Sequence, residues 1–131
     1  MRFIALMLAI FLFSCATCPN CSPEKRWLLE DADIHIRFVR WGRGQYYENP
    51  IKHIQYAKRF KKIASYIDGG EIDKAKIEAD ISFLKNCLYL HTARNAYNPN
   101  WWDKLWIKRY KRILKRMYEI KSRSHLANQG Q

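Results

Sequence analysis

The hydrophobic residues of this chain recur mostly at intervals of three and four positions, the spacing typical of amphipathic α-helices. A cap followed by a first-turn proline, Asn49-Pro50, marks the start of one such segment, and Asp68-Gly69-Gly70 marks its end. The predicted helices cover residues 23–41, 50–67, 71–97 and 100–122. The pattern predicts an all-α fold, a small bundle of three to four helices in which the two joined by the short loop at 68–70 run antiparallel.

The first of these segments has two hydrophobic periodicities. Trp27, Ile34, Phe38 and Trp41 fall on one face of a helix, whereas Ile34, Ile36 and Phe38 alternate with polar residues as in a strand. A helix is the preferred interpretation, and a strand is the alternative that the sequence leaves open.

The third segment has two hydrophobic stripes rather than one, which predicts a helix buried on two sides. The first stripe contains Ile72, Ala75, Ala79, Phe83, Leu90 and Tyr97. The second stripe contains Ile77, Ile81, Leu84 and Leu88. Such a helix would lie in the centre of the bundle, or would use one of its sides as an interface.

The fourth segment divides into an aromatic and aliphatic half and a basic half. The basic half consists of Lys104, Lys108, Arg109, Lys111, Arg112, Lys115 and Arg116. Trp101 and Leu105 lie on the polar side and are candidates for an exposed contact, because large apolar side chains are seldom exposed together without a partner. This division predicts a helix that docks on its own bundle and turns a basic face toward an anionic surface or partner. The alternatives are a helix at a membrane interface and a basic face that is only solvated.

The N-terminus has the composition of an export signal. Met1-Arg2 is positively charged, and residues 3–13 are all apolar, a run shorter than the roughly 20 residues that span a bilayer. At its end, Leu12-Phe13-Ser14-Cys15 resembles the lipobox of bacterial lipoproteins, although Phe13 is bulkier than the usual residue at its position. The resemblance implies cleavage before Cys15, attachment of diacylglycerol to its thiol and acylation of the new amine.

The lipobox resemblance also implies a location. Residues 1–14 are then a signal peptide and 15–22 a lipidated cysteine with its tether, while the hydrophobic pattern assigns 23–124 to a helical domain and 125–131 to a polar tail. Two or more acyl chains hold a protein stably on a membrane. Ala16, in place of Asp, implies by the sorting logic of the family an outer membrane facing the periplasm rather than an inner membrane.

Three cysteines near the N-terminus, Cys15, Cys18 and Cys21, form a C-x-x-C-x-x-C motif. In an oxidising periplasm, Cys18 and Cys21 could form a disulfide within the tether. In a cytosolic protein the same spacing would suggest thiolate ligands for zinc or an iron–sulfur cluster, but no fourth ligand is evident and Cys15 is assigned to the lipid. We therefore interpret the motif as a stiffened or unpaired tether, and we expect no metal and no cofactor.

The charge of the chain limits the choice of partners. The formal net charge is +12, while 48% of the residues are hydrophobic, which excludes a disordered basic tail. Such a charge favours anionic partners, among them phospholipid headgroups, lipopolysaccharide phosphates and nucleic acid. Nucleic acid is disfavoured, because no known DNA- or RNA-binding motif is present and an exported protein seldom meets nucleic acid.

One strip of the third segment contains residues with catalytic potential. Cys87 and His91 are four residues apart, Arg94 follows them, and Asp80 lies two turns before Cys87. Such a strip could activate a thiol or supply half of a metal site, but no third catalytic member or oxyanion group is identifiable. His53 lies on the apolar face of the second segment and is predicted to be a core histidine. We therefore expect a non-enzymatic protein.

These features predict a lipid-anchored protein of the bacterial envelope that acts as an adaptor or binding module. Cys15 would hold it on the membrane, and the basic fourth helix would face anionic lipid or an envelope protein. Two alternatives remain open. One is a lipoprotein of a phage or conjugative element that blocks entry or joins a secretion system. The other is a cytosolic zinc or nucleic-acid binder, which would require that residues 1–14 are not cleaved.

Overall fold

The computed structural model of the protein describes residues 19–41 and 49–129. They form four helices: α1 (Pro23–Trp41), α2 (Pro50–Ala64), α3 (Lys74–Tyr97) and α4 (Trp101–Gln129). No strand is present in these two ranges. The prediction of an all-α fold is therefore confirmed, and residues 23–41 are a helix rather than the alternative strand.

The loop between α2 and α3, residues 65–73, is longer than predicted. Ser65 closes the end of α2, because its hydroxyl donates a hydrogen bond to the carbonyl of Lys62 (2.6 Å). Asp73 caps the start of α3, where its side chain accepts a hydrogen bond from the backbone N–H of Ala75 (3.1 Å). These two side-chain caps, rather than the glycines between them, fix the ends of the helices.

α4 is longer than predicted. It continues to Gln129, whereas the hydrophobic pattern placed its end at Ser122 and a polar tail from residue 125. No Gly or Pro occurs within the helix, so nothing stops it once the apolar stripe has ended. Among the described residues, no helix is both long enough and apolar enough to cross a lipid bilayer.

Successive helices run antiparallel, so the four form an up-down-up-down bundle. α1 packs mainly against α2 and α3 mainly against α4, with a smaller contact between α1 and α4. Side chains connect α2 and its loop to α3: the Tyr66 hydroxyl donates to Asp80 (2.6 Å), and the rings of Tyr56 and Phe83 lie 5.5 Å apart. The later residue of the first segment, Tyr66, contacts the earlier residue of α3, Asp80, and the earlier residue Tyr56 contacts the later residue Phe83. The two segments are therefore antiparallel, as predicted.

The core is filled by aliphatic and aromatic side chains from all four helices. Its fully buried members include Leu28, Ala32, Phe60, Ile63, Ile77, Leu84, Trp106, Tyr110, Ile113 and Met117. The last four share one side of α4, so the predicted aromatic and aliphatic half of that helix is its docking face. Full burial of a large apolar side chain contributes about 1.5–3 kcal/mol relative to its exposure.

α3 is buried on one side only, so the prediction that it lies in the centre of the bundle is wrong, while the alternative, in which one of its sides is an interface, stays a prediction. Ile77 and Leu84 of one stripe are fully buried, and Phe83 of the other joins them. Leu90 is 39% exposed, however, and Tyr97 is 95% exposed. α3 therefore lies at a corner of the bundle between α2 and α4 instead of at its centre.

Candidate functional site

Four lysines lie in one line along the exposed side of α4. Lys104, Lys108, Lys111 and Lys115 are separated by four, three and four residues, so they fall within an arc of about 60° and span about 17 Å. All four are exposed. None of them forms an ion pair in the part of the chain that the structure describes. We call these four residues the lysine row.

An exposed aromatic residue flanks each end of the lysine row. Trp101, three residues before the row, is 73% exposed, and Tyr118, three residues after it, is 43% exposed. Leu105, which the sequence grouped with Trp101 as an exposed contact, is only partly exposed. Of the predicted pair, only Trp101 is therefore exposed. Tyr118 is a second exposed aromatic residue, which the sequence analysis did not single out.

The arginines of the basic half have a different role from the lysines. Arg109 forms an ion pair with Glu30 (3.0 Å), and Arg112 forms one with Glu24 (3.3 Å), so both connect α4 to α1. Arg116 pairs within α4. The seven basic residues that the sequence treated as one set thus separate into three arginines that form ion pairs, two of them with α1, and four lysines without an ion pair among the described residues.

A cleft of about 930 Å³ opens at the end of the bundle where α1 and α3 finish and α2 and α4 begin. Its volume lies within the range of small-molecule sites. Aromatic side chains from all four helices line it, including Phe38, Tyr56, Tyr97, Trp102, Trp106 and Tyr110.

A buried carboxyl group, Asp31, lies inside the cleft. The Tyr110 hydroxyl donates a hydrogen bond to it, and His35 Nε2 lies 3.6 Å from its Oδ1. Burial raises the pKa of Asp31 to about 7 and lowers the pKa of His35 to about 4. Near pH 7 the imidazole is therefore uncharged, and among the described residues no lysine or arginine forms an ion pair with Asp31.

The two histidines of the cleft contact each other. The Nδ1 atoms of His35 and His53 are 2.7 Å apart, so one ring must donate the hydrogen bond and the other must accept it. His53 is buried, in agreement with its predicted place in the core. No partner for His35 could be predicted from the sequence, because its contact with His53 joins two helices. The local signal was the four-residue spacing from Asp31 to His35.

The negative charge of a second carboxylate, Asp103, is stabilised by a cation and by hydrogen bonds. It accepts hydrogen bonds from Arg94 (3.0 Å), His91 Nδ1 (2.7 Å) and the Asn100 side chain (2.7 Å). Burial opposes its ionisation, but the hydrogen bonds from Asn100 and His91 and the charge of Arg94 lower the pKa of Asp103 below its usual value. The Asn100 side chain also accepts from the Asp103 backbone N–H (2.8 Å), which caps the start of α4.

The predicted catalytic strip is only partly assembled. Cys87, His91 and Arg94 line the cleft, but Asp80 is not part of its lining and accepts a hydrogen bond from Tyr66 instead. Burial raises the pKa of the Cys87 thiol to about 12, and burial also lowers the pKa of His91 although its bond to Asp103 acts in the opposite direction. The thiol therefore stays protonated at neutral pH, which makes it a poor nucleophile.

Only one cysteine of the N-terminal motif, Cys21, lies within the residues that the structure describes. Cys15, the predicted lipidation site, and Cys18 lie outside the described residues, while Cys21 is disulfide-bonded. The pairing of Cys18 with Cys21 stays a prediction. Within residues 19–41 and 49–129, no group of three or more His, Cys, Asp or Glu side chains is arranged to hold a metal ion.

Comparison of the chain with protein-family models, with curated proteins and with solved structures finds no match. Its function must therefore be inferred from the lysine row and from the cleft.

Proposed function

We propose that the protein is a lipid-anchored, non-enzymatic binding module of the bacterial envelope. The lysine row of α4 binds the anionic headgroups of a membrane. The proposal rests on the lysine row, whose four exposed ammonium groups have no carboxylate partner among the described residues. A basic residue beside an anionic leaflet contributes about 1 kcal/mol. Four of them would give about 4 kcal/mol, a millimolar affinity that is useful only to a protein that is already tethered.

The aromatic residues beside the row support a membrane as the anionic surface. Trp101 and Tyr118 are exposed at its two ends, and the Lys85 ammonium lies 5.7 Å from the centre of the Tyr118 ring. Trp and Tyr are enriched at the level of lipid headgroups, because one part of each ring system is apolar and another is polar. An exposed aromatic residue at each end suits a helix that lies flat against such a surface.

The lipobox-like Cys15 would supply the tether. Glu24, in the first turn of α1, contacts Arg112, so the lysine row ends close to the start of α1. Cys15 is seven residues before Ser22, so the tether holds the start of α1 within about 25 Å of the lipid. The turn at residues 19–20 and the disulfide of Cys21 shorten this distance, which keeps the bundle beside the membrane.

The anchor is tested by the intact mass and the fractionation of the expressed protein beside a Cys15→Ser variant. We expect a mature species that begins at Cys15, has added acyl mass and is found in membranes, and we expect the variant to lose all three properties. A soluble, unprocessed chain that begins at Met1 would contradict the anchor. Zinc and nucleic-acid binding would then be the first alternatives to measure.

The lysine row is tested by sedimentation with lipid vesicles, on the chain from residue 15 onward with Cys15→Ser, so that neither acyl chains nor the apolar residues 3–13 dominate. One variant replaces the four lysines of the row with Gln. A matched control removes the same charge from the exposed lysines of α2, namely Lys52, Lys58, Lys61 and Lys62. We expect the parent and the control to sediment with phosphatidylglycerol vesicles, and not with phosphatidylcholine vesicles, whereas the row variant stays in solution. Equal losses in the two variants would show that net charge alone matters and would exclude a specific surface.

A further inference from the structure

We propose that the cleft between the four helices is a binding site for an organic ammonium ion, a small molecule whose positively charged nitrogen is held among aromatic rings and faces Asp31. This inference is independent of the lysine row, because it concerns a different surface and a ligand of opposite charge.

The two buried carboxyl groups near the cleft, Asp31 and Asp103, differ in their cationic partners. Asp103 has a cationic partner in Arg94, whose guanidinium lies 3.0 Å away. Among the residues that the structure describes, Asp31 has only uncharged groups in direct contact, the Tyr110 hydroxyl and the His35 imidazole. The charges of Arg109 and Arg94 act on Asp31 only from a distance, and they lower its pKa less than burial raises it. Burial of a carboxylate without a cationic partner is energetically unfavourable. A positively charged ligand would therefore gain binding energy from Asp31, because it supplies the missing cationic partner.

The walls of the cleft are largely aromatic. Phe38, Tyr97 and Trp102 come from three different helices, line one cavity and keep part of their surface exposed. The negative face of an aromatic ring attracts an ammonium group, with an energy of about 0.5–2 kcal/mol per contact depending on desolvation. Several rings around one carboxyl group form the environment in which proteins recognise alkylated amines. An anionic ligand would gain nothing from Asp31, and a purely apolar ligand would leave it uncompensated.

The same arrangement predicts the direction of a pH dependence. Asp31 is surrounded by Glu30 and His35 of α1, His53 of α2, Cys87 and Arg94 of α3, and Arg109 and Tyr110 of α4. Arg109 is paired with Glu30, and Arg94 with Asp103, so neither forms an ion pair with Asp31. A cation binds the ionised carboxylate better than the neutral acid, so the affinity must increase as the pH rises through the pKa of Asp31, which is about 7. Between pH 6 and pH 8 the ionised fraction grows about tenfold, and the association constant should follow it.

The test is calorimetric titration of the full-length protein, purified in an uncharged detergent, with choline and with benzyltrimethylammonium. The uncharged probe is 3,3-dimethylbutan-1-ol, which has carbon in place of the charged nitrogen of choline. The variant is Asp31→Asn, and its control is Asp33→Asn, which removes the same charge from the exposed side of α1, where Asp33 pairs with Arg37 (2.7 Å). Thermal unfolding of each protein shows whether it is folded.

We expect one ammonium ion to bind per chain, at least about tenfold more tightly than the uncharged analogue, with an affinity that increases about tenfold from pH 6 to pH 8. Asp31→Asn should lose both the binding and the pH dependence, and Asp33→Asn should keep both. The proposal is wrong if neither ammonium probe binds the unaltered protein, if the uncharged analogue binds equally well, or if folded Asp31→Asn binds as the parent does. Comparison of charged and uncharged probes on the unaltered protein remains decisive even if Asp31→Asn does not fold.

Discussion

The Tyr110 hydroxyl donates its hydrogen bond to the carboxyl group of Asp31 and thereby joins α4 to α1 inside the bundle. Both side chains are buried, and the two residues are 79 positions apart in the sequence. Because burial raises the pKa of Asp31 to about 7, this contact places a group that titrates near neutral pH in the middle of the fold. The stability of the bundle and the chemistry of its cleft therefore depend on the same pair.

Removal of the Tyr110 hydroxyl should destabilise the fold while it leaves the ring packing intact. In Tyr110→Phe, the largely buried Asp31 carboxyl group loses a hydrogen-bond donor, so we expect the free energy of unfolding to fall by about 1–3 kcal/mol. Urea denaturation measures the change. Tyr89→Phe is the matched control, since Tyr89 is 67% exposed and should change the free energy of unfolding by less than about 0.5 kcal/mol. Equal stabilities of Tyr110→Phe and the parent would mean that the hydrogen bond contributes nothing.

Asp31 and His35 should have opposite effects on the pH dependence of stability. The folded-state pKa of Asp31, about 7, is above its ordinary value of 3.8, so its contribution to stability is greatest at low pH and falls as the pH rises from 4 to 7. The folded-state pKa of His35, about 4, is below its ordinary value of 6.5, so its contribution rises over nearly the same interval. In the parent protein the two effects largely cancel between pH 4 and 6.5.

Single substitutions should reveal this cancellation. Relative to the parent, Asp31→Asn should make the free energy of unfolding increase more steeply from pH 4 to pH 6.5, and His35→Gln should make it decrease. Denaturation curves at several pH values measure both slopes. The same slope in all three proteins would show that neither group changes its pKa on folding.

The sequence predicted the helices well because helix signals are local. Asn49 and Pro50 start α2 where the pattern placed its start, since the Asn49 side chain accepts a hydrogen bond from the Ile51 backbone N–H (3.0 Å) within the same turn. Hydrophobic spacing likewise identified the buried side of α4, including Trp106 and Tyr110. These features depend on residues within four positions of one another, and a single sequence contains that information.

The candidate sites could be predicted only in part, because their contacts join distant segments. The sequence identified the lysines of α4 but could not separate them from Arg109, whose partner Glu30 is 79 positions away. Cys87 and His91 were recognised as neighbours on α3, whereas the contact of His35 with His53 depends on how α1 packs on α2. Hydrophobic periodicity indicates which face of a helix is buried, but not which residue of another helix it meets.

Because the arginines of α4 form ion pairs and the lysines of the row do not, substitution of two adjacent residues, Lys108 and Arg109, should change the free energy of unfolding by different amounts. Arg109 pairs with Glu30, and its guanidinium lies 4.8 Å from the centre of the Trp106 ring, so Arg109→Gln should lower the free energy of unfolding by about 1–2 kcal/mol. Lys108 is exposed and has no ion-pair partner in the described part of the chain, so Lys108→Gln should change it by less than about 0.5 kcal/mol. Urea denaturation measures both variants. A loss of the same size in each would contradict the separation of the lysine row from the arginines.

Cys87 should be almost inert toward alkylating reagents in the folded protein, although it lies beside histidines. Only the thiolate reacts, and a pKa of about 12 in place of the ordinary 9.0 lowers the thiolate fraction at neutral pH by about a thousandfold. Mass spectrometry of the peptide that contains Cys87, after exposure to iodoacetamide with and without urea, measures this protection. We expect slow modification under native conditions and rapid modification in urea. Rapid native modification would mean that the thiol is ionised in the cleft, and a nucleophilic role for Cys87 beside His91 would then replace the non-enzymatic assignment as the first hypothesis to test.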